Sequence, residues 1–204
     1  MKNYLMLNNK KIELTPEQVK EIENSFGFNR IKLSDINVGE TFKVGELEFI
    51  VLEHHDETTS VILKEFWKTA KFDDNFNDYK ESKIRKELNT EFLKLLSDCV
   101  DSDNIVEHKV DLTADDGRID YESCYDLISL LTCDMYRKYV YVLDKHKINK
   151  WWWLATAYST KSNDYTTTVR CVGNGGALDC ISCDSDYGGV RPFCILKSNI
   201  FVSK

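Results

Sequence analysis

Proline is nearly missing from this chain. Pro16 and Pro192 are the only two, and no segment has the composition of a disordered region. No apolar run approaches the roughly 18 residues that a membrane-crossing helix needs, so nothing is expected to span or sit in a membrane. Cations are outnumbered, 27 Lys and Arg against 34 Asp and Glu, for a formal net charge of −7. That balance argues against a general nucleic-acid binder, which needs clustered Lys and Arg for phosphates. The negative charge serves solubility, and it would also suit a basic groove on a protein partner. The opening Met1-Lys2-Asn3-Tyr4-Leu5 runs into polar residues, unlike a secretory signal. Seven cysteines, an odd number, without such a signal point to reduced thiols in a cytosol.

Catalytic signatures are missing as well. There is no G-x-S-x-G, no P-loop, no H-E-x-x-H and no G-x-G-x-x-G. His54, His55, His108 and His146 have no recognisable nucleophile partner. The expectation is therefore a protein that is not an enzyme and carries no cofactor. What remains is an ordinary balance of apolar (42%) and charged (30%) residues, enough to bury a core in one domain with an attachment or in two small domains.

In chain order, Tyr4–Leu7 and Lys11–Leu14 flank a turn at Asn8-Asn9-Lys10 and read as a hairpin. Thr15, Pro16 and Gln18 form a helix start with a capping box. Val19, Ile22 and Phe26 share one helical face, and Gly27 is the stop. This unit is too small to fold alone, so it docks on the main body or on a second copy, as a homo-oligomer contact. After the turn at Val38-Gly39-Glu40, strands follow at Leu47–Leu52 and Ser60–Leu63. His54-His55-Asp56-Glu57 lies in the turn between them, and adjacent residues on a strand point apart, a poor arrangement for one metal.

Residues 71–80 read as a polar loop pinned by Phe72, Phe76 and Tyr79. Its Asp73, Asp74, Asn75, Asn77 and Asp78 lack the EF-hand spacing. Ser82 starts a helix with Ile84, Leu88, Phe92, Leu95 and Leu96 on its apolar face. Ile105–Leu112 alternates like a half-buried strand, Asp115-Asp116-Gly117-Arg118 is a turn, and Tyr125–Leu131 reads as a buried strand before a short helix near Met135-Tyr136.

Four separated motifs then line up. Ser82-Lys83-Ile84-Arg85-Lys86-Glu87-Leu88-Asn89 with Phe92 resembles an S-x-I-R-x-W-L-N-x-x-F helix. Asp126–Leu131 resembles F-L-L-S, Trp152-Trp153-Leu154 resembles W-W-L-R-S, and Gly189-Val190-Arg191-Pro192 matches G-V-R-P. Together they resemble an uncharacterised domain family of clostridial genomes and their phages, similar to the C-type-lectin-like superfold beside the formylglycine-generating-enzyme type. The chain departs from the pattern at Glu87, Ala155, Thr156 and Ala157. The resemblance implies an α+β, C-type-lectin-like domain over residues 39–204: a twisted antiparallel sheet with flanking helices. Residues 1–38 form the hairpin-helix attachment. It also implies a phage or prophage protein in the cytoplasm of a bacterial host or on a virion.

The stretch from Trp151 to Cys194 holds three of the four tryptophans and four of the seven cysteines. Trp152, Trp153, Arg191 and Pro192 read as frame. Three adjacent tryptophans cannot face one way on a strand. Arg191 is placed to make a buried ion pair or to cap loop carbonyls, with an anion clamp as the alternative. Ligand contacts are expected from the polar and aromatic residues between: Tyr158, Ser159, Lys161, Asn163, Asp164, Tyr165, Asn174, Asp184, Asp186 and Tyr187. Tyr, Ser, Asn and Asp combine rigid aromatic area with adaptable hydrogen bonds. Cys171, Cys180, Cys183 and Cys194 contain a single C-x₂-C; buried small hydrophobes are the simpler reading. The paired-cysteine copper site of the formylglycine type does not map onto them. The expected partner is a protein or a glycan held by the loops of residues 156–188, and the competing reading is a cytosolic phage inhibitor of a host defence protein.

Overall fold

In the computed structural model, residues 4–7, 10–25 and 30–204 are described, with the backbone alone for residues 4, 6, 7, 20 and 23–25. Strands β1 (Tyr4–Leu7) and β2 (Lys10–Glu13) pair antiparallel. Helix α1 (Pro16–Ser25) follows, and its capping box is closed both ways: the Gln18 N–H donates to Thr15 Oγ1 and the Thr15 N–H to Gln18 Oε1. The expected turn at Asn8-Asn9 and the expected stop at Phe26-Gly27 lie outside the described residues.

The chain then lays down β3 (Arg30–Lys32), β4 (Thr41–Val44), β5 (Leu47–His54), β6 (Thr58–Leu63) and β7 (Lys68–Ala70). Helix α2 (Lys83–Glu87) passes through a π turn (Leu88–Phe92) into α3 (Leu93–Ser97). Next come β8 (Ile105–Val106), β9 (His108–Asp111), β10 (Ser123–Asp126), β11 (Ile128–Ser129) and α4 (Cys133–Leu143). The last third is strands: β12 (Trp152–Ala157), β13 (Thr168–Val172), β14 (Leu178–Ser182), β15 (Gly188–Val190), β16 (Phe193–Lys197) and β17 (Phe201–Ser203). The result is α+β, mostly sheet, with few helices.

The expected single antiparallel sheet is divided into two larger curled sheets and a short pair. The main sheet runs β11-β16-β6-β5-β4-β17-β3, with β8 also on β16. The second runs β14-β13-β12-β15-β7 and contains one parallel pair, β12 with β15. The third is β9 with β10. Ile105–Leu112 is therefore two strands in different sheets, broken at Glu107. The helix expected near Met135-Tyr136 runs eleven residues, because Thr132 Oγ1 caps the Met135 N–H and Cys133, Tyr136, Tyr139 and Leu143 bury one face.

Alternation explains the packing. Phe49, Val51, Val61 and Leu63 turn to a core shared with Ile84, Leu88, Phe92 and Leu96. Ile50, Leu52 and Ile62 turn to a second core with Tyr136, Tyr139 and Leu143 of α4. A strand buried on both faces reads as the continuous apolar run that β5 shows. In the helix from Ser82, the buried residues fall every fourth position. Four residues overshoot an α-helical turn of 3.6, and the wider π turn absorbs the difference. Leu95, expected on that face, is turned outward and 42% exposed.

Candidate functional site

The frame begins at β12. Trp152 joins the α4 core and Trp153 the other, so neighbouring indoles anchor opposite faces of one strand. Trp151 is half-buried, edge-on to Trp153 at 4.9 Å. The Trp153 Nε1–H donates to the Ala70 carbonyl at 2.9 Å. Gly188 and Gly189 follow from this packing. A Cβ on Gly188 would stand 1.9 Å from Trp153 Nε1, and one on Gly189 would stand 2.4 Å from the Phe66 ring. Close approach, and no unusual backbone angle, requires glycine there.

Arg191 is 2% exposed. Its Nε donates to the Leu63 carbonyl at 2.8 Å and its Nη2 to the Lys64 carbonyl at 3.1 Å, so it caps the end of β6. Its cation lies 5.2 Å from the Trp152 ring centre. Burial pulls the guanidinium down to about 10. The Pro192 carbonyl accepts the Leu63 N–H. The helix from Ser82 completes the frame. Ser82 caps the Arg85 N–H, Arg85 pairs with buried Asp126 at 2.7 Å, and Asn89 bonds both backbone groups of Ile128.

On this frame the loop after β12 is tied down by Asn77. That side chain is fully buried. Its Nδ2 donates to the carbonyls of Ser159, Tyr165 and Thr168, and its Oδ1 accepts the Tyr121 hydroxyl. Its backbone N–H donates to the Thr166 carbonyl. The neighbouring acids are spent on turns: Asp73 accepts the N–H groups of Asn75, Phe76 and Lys83, and Asp78 that of Lys80. Phe72 and Tyr79 are buried and Phe76 is exposed.

The pinned loop forms one wall of an open cleft of roughly 380 Å³, lined by Tyr158, Asn163 and Tyr165 with Asp115, Asp116, Arg118 and Arg170. The two tyrosine rings stand 5.5 Å apart. The Arg170 cation lies 4.9 Å from the Tyr158 ring centre. Asp115 bridges Arg137, at 2.8 Å, and Arg170. Burial works to raise the Asp115 carboxyl, but hydrogen bonds from the two guanidinium groups outweigh it and hold the group below its ordinary range. The Ser159 hydroxyl holds Asp116 below the usual carboxylate range. A second cleft, roughly 420 Å³, shares Asp115 and reaches Arg137, Cys133 and Thr156.

Of the residues expected to touch a ligand, Tyr158, Asn163 and Tyr165 come together. Ser159 lies beneath this surface instead of on it: it is fully buried, bonded to Asp116 and Asn163. Asp164 is exposed in a left-handed conformation that ends the 3₁₀ turn Lys161–Asn163. Asn174 is exposed on the turn between β13 and β14, at the far end of β13. Asp184 accepts the Ser182 hydroxyl, Asp186 stands 3.7 Å from Lys71, and Tyr187 is exposed between β14 and β15. The sequence marks Asp115, Asp116 and Arg118 as a turn, but neither these nor Arg170 as cleft residues. The signal available was opposite charges flanking Gly117 in one turn, at φ +87.

The four C-terminal cysteines do not gather. Cys171 and Cys194 are buried in β13 and β16, in different sheets, and burial pushes the Cys171 thiol up to about 12. Among the described residues, no three His, Cys, Asp or Glu side chains are grouped as metal ligands would be. His54 bonds Thr59 and the Ile36 carbonyl while His55 bonds Ser60. Among the described residues, no helix is long and apolar enough to cross a membrane.

Residues 57–198 match a family described as a domain of unknown function, DUF6273. The matched span holds the cleft, Asn77, the helix from Ser82 and Arg191. No curated protein and no solved structure matches the chain.

Proposed function

We propose a binding function for this chain, which belongs to the DUF6273 family of domains of unknown function: a non-enzymatic module that holds a protein or glycan ligand in the cleft of Tyr158, Asn163 and Tyr165. The observation that carries the reading is this convergence. Three residues from a recognition-type stretch meet on one cleft, beside Arg118 and Arg170, on a loop whose backbone is fixed by Asn77. Rigid aromatic area with hydrogen-bonding neighbours suits a binding surface. A cleft presented by loops on a packed frame also supports the finer reading of a C-type-lectin-like domain. A phage or prophage origin and a place in a bacterial cytoplasm or on a virion rest on the motif resemblance and the cysteine pattern. A gene neighbourhood without phage genes would count against them.

The test uses the full chain against a glycan array and a panel of purified host and phage proteins, beside Tyr158→Ala, Tyr165→Ala and Arg118→Ala. A hot-spot truncation costs about 2 kcal/mol, roughly thirtyfold in affinity. At least one variant should show a loss of that size with its melting temperature unchanged. A ligand bound equally well by all three variants would place the site elsewhere.

A further inference from the structure

The charges that line the Tyr158 cleft narrow what it can hold. Its two cations, Arg118 and Arg170, are matched by two carboxylates, Asp115 and Asp116. Each guanidinium already meets one of them: Arg118 meets Asp116, and Arg170 meets Asp115. An anionic ligand would come beside both carboxylates and find both cations engaged. Asp120, whose charge acts on Arg118, tips the balance further from an anion. A cationic ligand would in turn come beside both guanidinium groups. The arrangement favours a ligand without charge.

The apolar area is equally specific. Among the described residues, no aliphatic side chain lines the cleft, so it offers no apolar pocket for the anchor side chain of a protein partner. What it offers is two tyrosine rings, 5.5 Å apart and inclined at 52°. The Arg170 guanidinium packs over Tyr158, while Tyr165 is 47% exposed. The face of an aromatic ring is electron-rich and attracts polarised C–H groups. The Arg170 Nε–H, moreover, is buried and has no acceptor among the described residues. A buried donor left unpaired is costly, and a ligand oxygen that reached it would relieve that cost.

We infer that the cleft takes a neutral saccharide, with the C–H face of one sugar ring on Tyr165 and its hydroxyls on the Arg118–Asp116 and Arg170–Asp115 pairs. The inference rests on the binding function proposed above and names the ligand class of that site. A hydroxyl both donates and accepts. One sugar can therefore serve carboxylates and guanidinium groups together and leave both ion pairs intact. The cleft's roughly 380 Å³ lies within the range of about 300–1,000 Å³ common to small-molecule sites.

The experiment puts the full chain on an array of neutral oligosaccharides and their uronic-acid and sulfated counterparts, and titrates the strongest neutral binder in solution. The neutral sugar should bind at least about tenfold tighter than its acidic counterpart. Its affinity should change less than about twofold between roughly 0.05 and 0.5 M sodium chloride. Tyr165→Ala should weaken it about tenfold or more, and saturation transfer from the protein to the sugar C–H protons should fall with it. On the parent chain, a deoxy analogue lacking one contacting hydroxyl should bind several-fold more weakly. A preference for the acidic counterpart, or an affinity that falls steeply with salt, would overturn the inference. So would an array without neutral binders. A purified protein whose binding Tyr165→Ala abolishes would overturn it too, while keeping the cleft as a binding site. A neutral sugar bound alike by Tyr158→Ala, Tyr165→Ala and Arg118→Ala would remove the proposed site as well.

Discussion

Asn77 does with one side chain what a strand would otherwise have to do. The carbonyls of Ser159, Tyr165 and Thr168 converge on its amide, and the Tyr121 hydroxyl meets its oxygen. Removing the amide leaves several buried groups unpaired, at about 1–3 kcal/mol each before relaxation. Asn77→Ala should therefore lower stability by roughly 3 kcal/mol, about 6–12 °C of melting temperature for a chain of this size. Hydrogen exchange over residues 159–168 should quicken in the same variant. A melting temperature within about 2 °C of the parent would mean that the loop holds itself. A charged replacement, Asn77→Asp, faces three carbonyls without a donor and should be at least as damaging. At the same scale, His108 is expected to give the chain a pH dependence. Burial lowers its pKa below the ordinary 6.5, against the pull of Asp126 and Glu107. The unfolded chain then binds the proton more readily than the folded one. The His108 contribution is complete above pH 6.5 or so and is lost as the pH falls below it. Urea unfolding between pH 7.5 and 5.5 should show that decline. His108→Gln, which keeps a partner for Ser129, should flatten it; an unchanged slope would assign the protons elsewhere.

Among the elements, β12 and β15 show how glycine can be demanded by a neighbour. Gly188→Ala puts a methyl group 1.9 Å from Trp153 Nε1, so the indole or the strand must move. The bond to the Ala70 carbonyl and the pairing of Trp152 with Gly189 are then at risk. The expected loss is about 3 kcal/mol. Gly175→Ala is the control, since nothing lies within 4 Å of its Cβ position; it should be neutral or stabilise by up to about 1 kcal/mol. Equal melting of the two variants would contradict this account. Elements whose determinants are local were legible in the sequence: the Thr15–Gln18 box, the β5–β6 hairpin and the turn at Gly117. Elements decided by distant partners were not. Ile105–Leu112 alternates smoothly, yet it breaks because Ile105 pairs with Leu196 while Val110 pairs with Cys124. The π turn is invisible to a periodicity of 3.6, and Leu95 was misplaced for that reason. Of the cleft, the aromatic wall could be read from composition. Of its charged residues, Asp115, Asp116 and Arg118 come from a turn about 40 residues earlier and Arg170 from β13, and no local pattern marks Asn77 as the clamp.

At the scale of the molecule, the conspicuous motifs and the cleft are different parts of one chain. Arg85 and Asp126 meet across 41 residues, and Arg191 reaches Leu63 across 128. These contacts fasten distant segments together and touch none of the residues that line the Tyr158 cleft. Stability and ligand binding should therefore separate by substitution. Arg85→Met leaves buried Asp126 without its cation, and breaking such a pair costs about 3–5 kcal/mol. Arg85 Nε donates to both carboxylate oxygens and Nη2 stands 2.7 Å from Oδ1, which places the pair at the stronger end. Replacing both partners, Arg85→Met with Asp126→Leu, should restore much of that loss, because two apolar groups leave no orphaned charge. Tyr165→Ala should do the reverse: its side chain is 47% exposed, its carbonyl still meets Asn77, and melting should stay within about 2 °C. Melting curves for these variants, set beside ligand affinities measured well below the melting point, test the division directly. If Arg85→Met weakened binding as strongly as Tyr165→Ala while still folded, frame and cleft would have to be treated as one coupled unit.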